Sequence, residues 1–570
     1  MTRRIRWQIL IAAVSSLLVL GLMSYLALST IVASQPLAGG EYIEGLTAPP
    51  QQLNPLLGDA ARDPSGADIQ SLIFDGLMRI GPDGGPEPAL AQAMPAISAN
   101  GTVYTFTLRT DVAWHDGSPL TADDVLFTLR AVQERGFAGD PSAGALWRGV
   151  LVEKVGEHSV RCTLSAPFAP FLSRATFPIL PAHLLRGIPP EQWPITPFNR
   201  QPVGTGPYQL AELTGERALL TANPHYYDGR PFIDNIEFRF FKDSQTAVAA
   251  LTRGEIMGLG FLSTGELGHS NMPRGIVRHE LPLDSYTILT PNLRKGPLAD
   301  LELRRALARG LDKDALIERA LGGQAARLDT PILPGWEGAN ERVIWYLYDP
   351  QRAADELTAL GWAPGSDGVR AKGGERLELE LITDSAPDRV AAAQEIAQQW
   401  GAIGVRVVVQ QLDGPAMAQR MDAHDFVLAL HGWQRLGSDP DVYSLWHSSQ
   451  AARGDNYAGL SDAQIDELLS NARQELEPVR RAGSYAAFQQ RWVDLAPSIT
   501  LYQPLFVYAT ERQLEGLGFS TTTLGQIPAE GGSSDIAGNY LLIGRESRFR
   551  NVRQWSIRST REIKGVLRQR

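Results

Sequence analysis

An uncharged, predominantly apolar stretch runs from Trp7 to Ala33 directly after three arginines, and it constrains this chain more than any other feature. At a rise of about 1.5 Å per residue, a helix of that length crosses the hydrocarbon core of a bilayer. Because cationic flanks stay on the cytoplasmic side, the N-terminus is predicted inside and everything after the stretch outside. Residues 1–36 are therefore predicted to hold an extracytoplasmic body at the cell membrane.

The sequence leaves open whether this segment is retained or removed. A cleaved secretory signal has a shorter apolar core of roughly 7–15 residues, and the one weak cleavage candidate here is Val32-Ala33-Ser34. We favour a retained transmembrane helix, and either alternative exports the body. No cysteine directly follows the stretch to accept a lipid, which excludes a lipoprotein anchor.

The chain has 570 residues, a length that predicts two to four domains. Its charge is unevenly distributed along the sequence. The net charge is −10, yet Arg545–Arg570 carries nine Lys/Arg against two acids, leaving about −17 for the rest. So acidic a body repels phosphate backbones, and nucleic acid is not an expected partner. The basic tail 558–570 is predicted to be solvated, with a short amphipathic helix on the membrane surface as the alternative.

Cysteine and histidine usage argues against a metal centre. Cys162 is the single cysteine, so the chain can form no intramolecular disulfide or thiolate cluster. Its place in the alternating segment Val160–Leu164 predicts a packed strand residue. The nine histidines include no His-Glu-x-x-His motif and no i,i+4 pair. We predict neither a metal nor a cofactor.

Strand and helix signals alternate along the body, which indicates α/β lobes. The pattern Thr121-Ala-Asp-Asp124 is a capping box that predicts a helix from Val125 onward. Leu377–Ile382, Asp388–Ile403 and Val405–Leu412 are predicted to form a βαβ unit with a right-handed crossover over a parallel sheet.

The stretch from Tyr104 to Phe127, YTFTLRTDVAWHDGSPLTADDVLF, closely resembles the signature of the family-5 extracellular solute-binding proteins. These are the oligopeptide-, dipeptide- and nickel-binding proteins of ABC importers. Further matches follow in the family's order: GTGPY at 204–208, LELRRALARGLD at 301–312, GW at 432–433 with DPD at 439–441, NYAGLS at 456–461 and NVRQW at 551–555.

The resemblance implies a type II periplasmic-binding-protein-like fold of two hinged lobes. On the family's pattern, lobe I comprises residues 37–290 and 505–557, with an extra subdomain at about 75–195, and lobe II comprises residues 291–504. The chain then crosses between the lobes more than once, as a hinge of a few residues requires. We expect a monomer.

The implied function is capture of a peptide or similar polar solute by closure of the lobes and delivery to ABC permease subunits, without catalysis. One alternative is a secreted, membrane-anchored hydrolase using His115/Asp116 or Asp439/Asp441. The chain contains no Gly-x-Ser-x-Gly elbow that would support it. The other alternative is a sensor or chaperone-like binder without a transport role.

The resemblance also suggests ligand-binding residues. Trp433 is predicted to line the cleft, and Tyr286, Asn292 and Tyr457 fall where family members often face it. Further candidates are His431, Arg435 and Asp439. For Arg435 we favour simple exposure to solvent over ligand contact. For Asp439 we favour a structural role in the turn before Pro440.

Two charged clamps of the family have no counterpart in this sequence. An ungapped match places Leu436 where the peptide-binding branches carry an Asp for the ligand α-amino group. Separately, Thr383 corresponds to the position where the dipeptide branch carries an Arg for the ligand carboxylate. A buried ammonium without its carboxylate is costly. Strict free-dipeptide recognition is therefore not predicted, whereas longer peptides, sugars and other polar solutes stay open.

Overall fold

The computed structural model describes residues 14–17, 19, 20, 23, 32–58, 62–81, 84–137, 139, 141–260, 274–340, 342, 343, 346–434, 437, 439–518 and 545–563. Within these ranges, no helix combines the length and the apolar character needed to cross a bilayer. Most of the predicted anchor lies outside them. Its last residues, Val32 and Ala33, begin the strand Val32–Pro36 instead of ending a helix.

One mixed sheet extends through both lobes. Its first half contains, in spatial order, Tyr208–Leu213, Arg217–Ala222, Asn235–Phe240, Glu41–Leu46, Gly258–Gly260 and the long strand Ile499–Glu511, with Ile276–Pro282 also paired to the last. Its second half continues from the same long strand through Ser285–Pro291, Leu428–Gln434, Glu378–Asp384 and Arg406–Leu412, with Ala325–Arg327 added to the long strand.

The predicted βαβ unit is confirmed in the second half of the sheet. Strand Glu378–Asp384 leads into helix Pro387–Ala402 and then into strand Arg406–Leu412, which pairs with the first strand in parallel. The buried helix residues Ala392, Ile396 and Trp400 follow the 3.6-residue period and face the sheet. Local periodicity was therefore sufficient to identify this unit.

The two halves of the sheet cover separate hydrophobic cores. One core ends at Leu281 and resumes at Phe506, whereas the other begins at Tyr286 and ends at Tyr502. The chain crosses between them at Leu283-Asp284 and at Pro504, where the Leu283 N–H donates to the Pro504 carbonyl at 3.0 Å. The predicted boundary after residue 290 falls at the end of strand Ser285–Pro291, whereas the cores divide before that strand begins.

The first core carries a smaller antiparallel sheet within the predicted extra subdomain. Its strands are, in order, Ala96–Ile97, Val103–Thr107, Ser159–Leu164 and Val150–Gly156. Helix Ala122–Gln133 begins at the predicted capping box, because Thr121 and Asp124 cap each other's backbone N–H groups. Cys162 is fully buried as predicted, and burial raises the pKa of its thiol to about 12.

The remaining helices and strands surround these sheets. There are two further small sheets in the described residues. One has two strands, Met78–Ile80 and Pro86–Pro88, and the other has three, Ala363–Pro364, Arg370–Lys372 and Glu375–Arg376. The other α-helices are Pro64–Ile73, Pro141–Trp147, Phe171–Arg174, Ala182–Leu185, Ser244–Thr252, Leu301–Arg309, Lys313–Leu321, Pro350–Ala359, Gly414–Asp422, Tyr443–Trp446, Ala463–Gln474 and Pro478–Leu495. Short 3₁₀ segments are Pro190–Ile195, Pro197–Asn199, Pro297–Ala299, Ser448–Gln450 and Arg545–Gln554.

The C-terminal segment returns to the first core and then pairs with the N-terminal strand. Trp555 is fully buried there, edge-on to Tyr42 at a centroid distance of 5.6 Å. Ser559–Ile563 then forms an antiparallel strand with Val32–Pro36. The alternative of a helix over the tail is therefore wrong for residues 559–563, because a strand partner 523 to 531 positions away cannot be seen from local periodicity.

Candidate functional site

The carboxyl ends of two parallel strands meet beside the crossing between the cores. Glu378–Asp384 and Leu428–Gln434 run in parallel, and the last residue of the second lies opposite Ser285, the first residue after the crossing. After strand Glu378–Asp384 the chain passes to Arg406–Leu412, which pairs with one edge of that strand, whereas Leu428–Gln434 pairs with its other edge. Crevices at the carboxyl ends of such divergent strands are where ligands bind in α/β sheets.

Strand Leu428–Gln434 has a free edge at this end. Its pairing with Ser285–Pro291 continues to Gln434, whereas its pairing with Glu378–Asp384 stops at Leu430. Within the described parts of the chain, no strand pairs with that edge of residues 431–434. Unpaired backbone N–H and C=O groups on such an edge can accept an added strand.

An aromatic cluster stands on one face of this strand end. The rings of Trp433 and Tyr457 are stacked at 5.6 Å with planes 6° apart, and His431 is edge-on to both. The Tyr457 hydroxyl donates to Asp422 at 3.3 Å. The fold of the second lobe thus brings together three of the predicted residues. In the sequence, Tyr457 lies at least 24 positions from the other two.

His431 is held as a neutral ring in this cluster. Its Nε2 lies 2.9 Å from the Thr290 hydroxyl. Burial, reinforced by the Arg389 guanidinium, lowers the pKa of His431 to about 3. A neutral imidazole can pack against the Trp433 ring without the cost of a buried charge.

An ion pair that sequence reasoning missed lies on the opposite face of the same strand end. Arg389 Nε donates to both carboxylate oxygens of Asp384, at 2.8 and 2.9 Å. A Cβ added to Gly432 would lie 3.4 Å from Arg389 Nη1, so the guanidinium lies directly against the glycine. Successive strand residues point to opposite faces, which separates this pair from Trp433 and His431. Its position at the strand-to-helix turn of the predicted βαβ unit was the available signal.

Two predicted residues lie within the second lobe rather than facing a cleft. Tyr286 is fully buried in its core, directly opposite Trp433 in the ladder. Asn292 is 1% exposed, and its side-chain amide donates to the carbonyls of His424 and Phe426 at 2.9 and 3.2 Å. These contacts support the strand that carries the aromatic cluster.

Asp439 is held in a charge network within the second lobe. Its carboxylate accepts from Arg481 at 2.5 Å and from the backbone N–H of Asp441 at 3.0 Å. Arg481 also pairs with Glu337 at 2.7 Å. The geometry matches the turn-forming alternative for Asp439. Arg435 lies outside the described residues.

The extra subdomain touches the second lobe near this network. The Ala169 N–H donates to the carbonyl of Arg473 at 2.8 Å, and the Arg473 guanidinium lies 5.4 Å from the centre of the Phe168 ring. The same guanidinium donates to both carboxylate oxygens of Asp441 and lies 4.1 Å from the centre of the Tyr443 ring. Phe168 and Ala169 of the extra subdomain are therefore in direct contact with Arg473 of the second lobe.

The residues of the hydrolase alternative have structural partners. His115 Nε2 lies 3.0 Å from the Gly206 carbonyl, and its Nδ1 accepts from the Gly204 N–H at 3.3 Å. Asp116 pairs with His183 at 2.7 Å. The GTGPY turn is thereby fixed inside the first lobe, and in the described part of the chain no cluster of metal-ligating side chains occurs.

Comparison with known proteins identifies the family of this chain. The profile of the bacterial extracellular solute-binding proteins, family 5 (middle region), matches residues 85–455. Protein XP55 of Streptomyces lividans is 33% identical over 471 residues, covering 80% of this chain and 82% of that protein.

Solved structures agree over nearly the whole body. The oligopeptide-binding protein AppA from Bacillus subtilis, in complex with a nonapeptide, has a TM-score of 0.69 and 25% identity, covering 92% of this chain and 100% of that one. NikZ from Campylobacter jejuni, in complex with Ni(L-His), has a TM-score of 0.70 and 26% identity, covering 90% and 99%. This chain is therefore a member of the bacterial extracellular solute-binding proteins of family 5.

Proposed function

We propose that this protein is the substrate-binding component of an ABC importer and captures a peptide in the space between its lobes. The free edge of strand 431–434 carries this proposal, because an extended peptide can pair its own backbone with it. The similarity to AppA, solved with a nonapeptide, supports the same ligand class.

The side chains around the free edge suit an extended polar chain. The Trp433–Tyr457 stack offers a flat apolar surface to side chains on one face. On the other face, Arg389 keeps guanidinium N–H groups beside Gly432 while Asp384 holds it in place. Such a cation favours ligand carbonyl or carboxylate oxygens.

Recognition in this site is directed at the ligand backbone rather than at its two charged ends. Thr383 is fully buried and donates to the Leu430 carbonyl at 3.1 Å, so its hydroxyl is used within the sheet. Leu436, at the position of the ammonium-binding Asp, lies outside the described residues and has no carboxylate. We therefore expect longer peptides to bind better than free dipeptides.

Closure of the lobes is the proposed means of capture. The crossings at Leu283-Asp284 and Pro504 are short and linked by the hydrogen bond between them. Ligand shifts the balance between open and closed forms only by contacting the closed form better. The closed receptor then presents its ligand to the permease, and no bond is made or broken.

The N-terminal apolar segment is proposed to remain as a membrane anchor with the N-terminus in the cytoplasm. Val32 and Ala33, which cleavage at the candidate site would remove, pair with Ile563 and Glu562 in the terminal sheet. Retention of these residues keeps that sheet complete. The body then stands outside the cell, tethered beside its permease.

Identification of co-purifying molecules by mass spectrometry of the full-length protein tests the ligand class directly. We then expect Trp433→Ala to weaken binding of a random nonapeptide library about 30-fold, the loss of an interface anchor worth about 2 kcal/mol. Arg389→Gln is expected to weaken it about tenfold through the lost charge-assisted hydrogen bonds.

Two control variants make this experiment specific. Tyr348→Ala removes an aromatic side chain that is 48% exposed, and Arg352→Gln breaks an exposed helical pair with Glu356. Both should leave affinity unchanged. If Trp433→Ala and Arg389→Gln bind like these controls, peptide does not occupy the free edge and the proposal is wrong.

A further inference from the structure

The two lobes also touch at a place away from the crossings between the cores. Lobe II contributes the end of helix Ala463–Gln474 and the turn that follows it, and the extra subdomain contributes two turns. A Cβ added to Gly101 would lie 2.5 Å from the Leu476 side chain and 3.5 Å from that of Pro167. We call the contacts of Arg473 and Leu476 with the extra subdomain the interlobe latch.

Three short-range contacts make up the interlobe latch. The Ala169 N–H donates to the Arg473 carbonyl at 2.8 Å, and the Arg473 guanidinium lies over the Phe168 ring. The third contact joins Leu476 to Gly101. A hydrogen bond, a cation–π contact and an apolar contact all act over a few ångströms. An opening rotation of lobe II about the crossings therefore breaks all three, so the interlobe latch belongs to the closed arrangement of the lobes.

The lobe II side of the interlobe latch is held rigidly. The Glu475 carboxylate accepts from Arg480 Nε at 2.7 Å and from the Glu477 N–H at 2.9 Å. Glu477 in turn caps the next helix, Pro478–Leu495. Leu476, between these two glutamates, is therefore presented on a turn that is fixed between two helices.

Arg473 also connects the interlobe latch to the strand with the free edge. Its guanidinium donates to the Asp441 carboxylate at 2.8 and 3.0 Å. Asp441 lies seven positions after Gln434, the last residue of that strand. Asp439 of the same segment is bound by Arg481, which belongs to the helix after the interlobe latch. The segment that follows the free-edge strand is therefore held by the same two helices that carry the interlobe latch.

We propose that the interlobe latch stabilises the closed form by itself, so that the ligand-free protein already populates this form. The inference rests on the binding function proposed above and adds that affinity depends on residues outside the free edge. The apparent affinity of a two-state receptor scales with the fraction in its binding-competent form. Loss of the cation–π contact should lower the ratio of closed to open form about threefold, and truncation of Leu476 about fivefold.

Disulfide trapping in the full-length protein tests the interlobe latch without a peptide. Bound molecules are first removed by unfolding and refolding in guanidinium chloride, with mass spectrometry as the check. In Gly101→Cys with Leu476→Cys, loss of the leucine clears the space that a Cβ at position 101 needs. Cys162 is fully buried and takes no part. Gly101→Cys with Gly483→Cys is the matched control, because it keeps the change in the subdomain and places the second thiol in open space on helix Pro478–Leu495.

We expect the first cysteine pair to form a disulfide in the ligand-free protein and the control pair to stay reduced. Adding Phe168→Leu should slow the reaction about threefold, because it removes the ring without touching the pair between Arg473 and Asp441. Absence of the disulfide in the ligand-free protein overturns the inference, whether or not a peptide library later induces it. An unchanged rate in Phe168→Leu overturns it as well.

Peptide affinity gives a second measurement. Phe168→Leu with Leu476→Ala should weaken binding of a random nonapeptide library about 15-fold. Val479→Ala is the matched control, since Val479 is 78% exposed and lies three residues after Leu476, and it should bind like the wild type. Wild-type affinity in the double variant refutes the interlobe latch. If the disulfide forms but no variant binds peptide, the proposed ligand is wrong and the interlobe latch stands.

Discussion

Replacing Arg548 by Met should destabilise the first lobe strongly, because it leaves two carboxylates without their cation. The Arg548 side chain is 1% exposed, and those of Glu44 and Asp68 are 0% exposed. Arg548 binds Asp68 through two parallel hydrogen bonds of 2.8 and 3.0 Å and also binds Glu44. The Tyr508 hydroxyl donates to Glu44 at 2.7 Å and cannot neutralise its charge.

The size of the effect follows from this burial. Removing one partner of a buried ion pair costs about 3–5 kcal/mol, because the remaining charge stays in a medium that solvates it poorly. For a lobe of this size, each kcal/mol lowers the melting temperature by about 2–4 °C. We therefore expect Arg548→Met to melt about 10 °C below the wild type. The pairing of Val32–Pro36 with Ser559–Ile563 should loosen with it, since Arg548 fixes the segment that carries Trp555.

Differential scanning fluorimetry of the full-length protein measures this shift. Arg553→Met is the matched control, because Arg553 belongs to the same segment but its ion pair with Asp228 involves side chains that are 38% and 28% exposed. That pair is worth about 1 kcal/mol or less. Adding Glu44→Gln and Asp68→Asn to Arg548→Met should recover most of the loss. Equal melting of Arg548→Met and Arg553→Met would refute the argument from buried charge.

Three further predictions concern the second lobe. Burial lowers the pKa of His431 to about 3, so on acidification the unfolded chain takes up this proton before the folded one does, and the free energy of unfolding falls as pH drops from about 6.5 towards 3. In acid denaturation, the free energy of unfolding of His431→Asn should fall less steeply with pH than that of the wild type. An unchanged slope would contradict this. Arg473→Met removes the guanidinium over Phe168 and should enlarge the ligand-free radius of gyration in small-angle scattering; an unchanged radius would show that the contact does not hold the lobes. Asp439→Asn should cost about 2 kcal/mol of stability by weakening the pair with Arg481, without changing peptide affinity; lost affinity at wild-type stability would restore Asp439 to the binding site.

Local sequence signals were sufficient wherever the structure depends on neighbouring residues. The capping box at Thr121 begins a helix as predicted, and the βαβ unit from Glu378 to Leu412 appears with the expected parallel pairing. Family motifs also predicted the two-lobed body. Periodicity is local and survives into the fold because a half-buried helix or strand must present one face to a core.

The candidate site was only partly predictable, because its side chains meet through pairing that spans the second lobe. Trp433 was identified from its motif, but its stacking on Tyr457 depends on how the chain returns after strand Leu428–Gln434. Tyr286 was predicted to face the cleft and is instead buried opposite Trp433. Arg389 was missed, because its position at the strand-to-helix turn of the predicted βαβ unit does not reveal that Gly432, 43 positions away, lies against it.

The sequence by itself determined the class of this protein: an exported α/β body with an apolar N-terminal segment, an acidic surface and the motifs of one binding-protein family. Tertiary structure alone decided which strand edge stays free, which charges meet across the sheet, and that the strands Val32–Pro36 and Ser559–Ile563 run side by side. Propensity and periodicity act over a few residues, whereas these features depend on the order of strands in a sheet and on contacts between residues hundreds of positions apart.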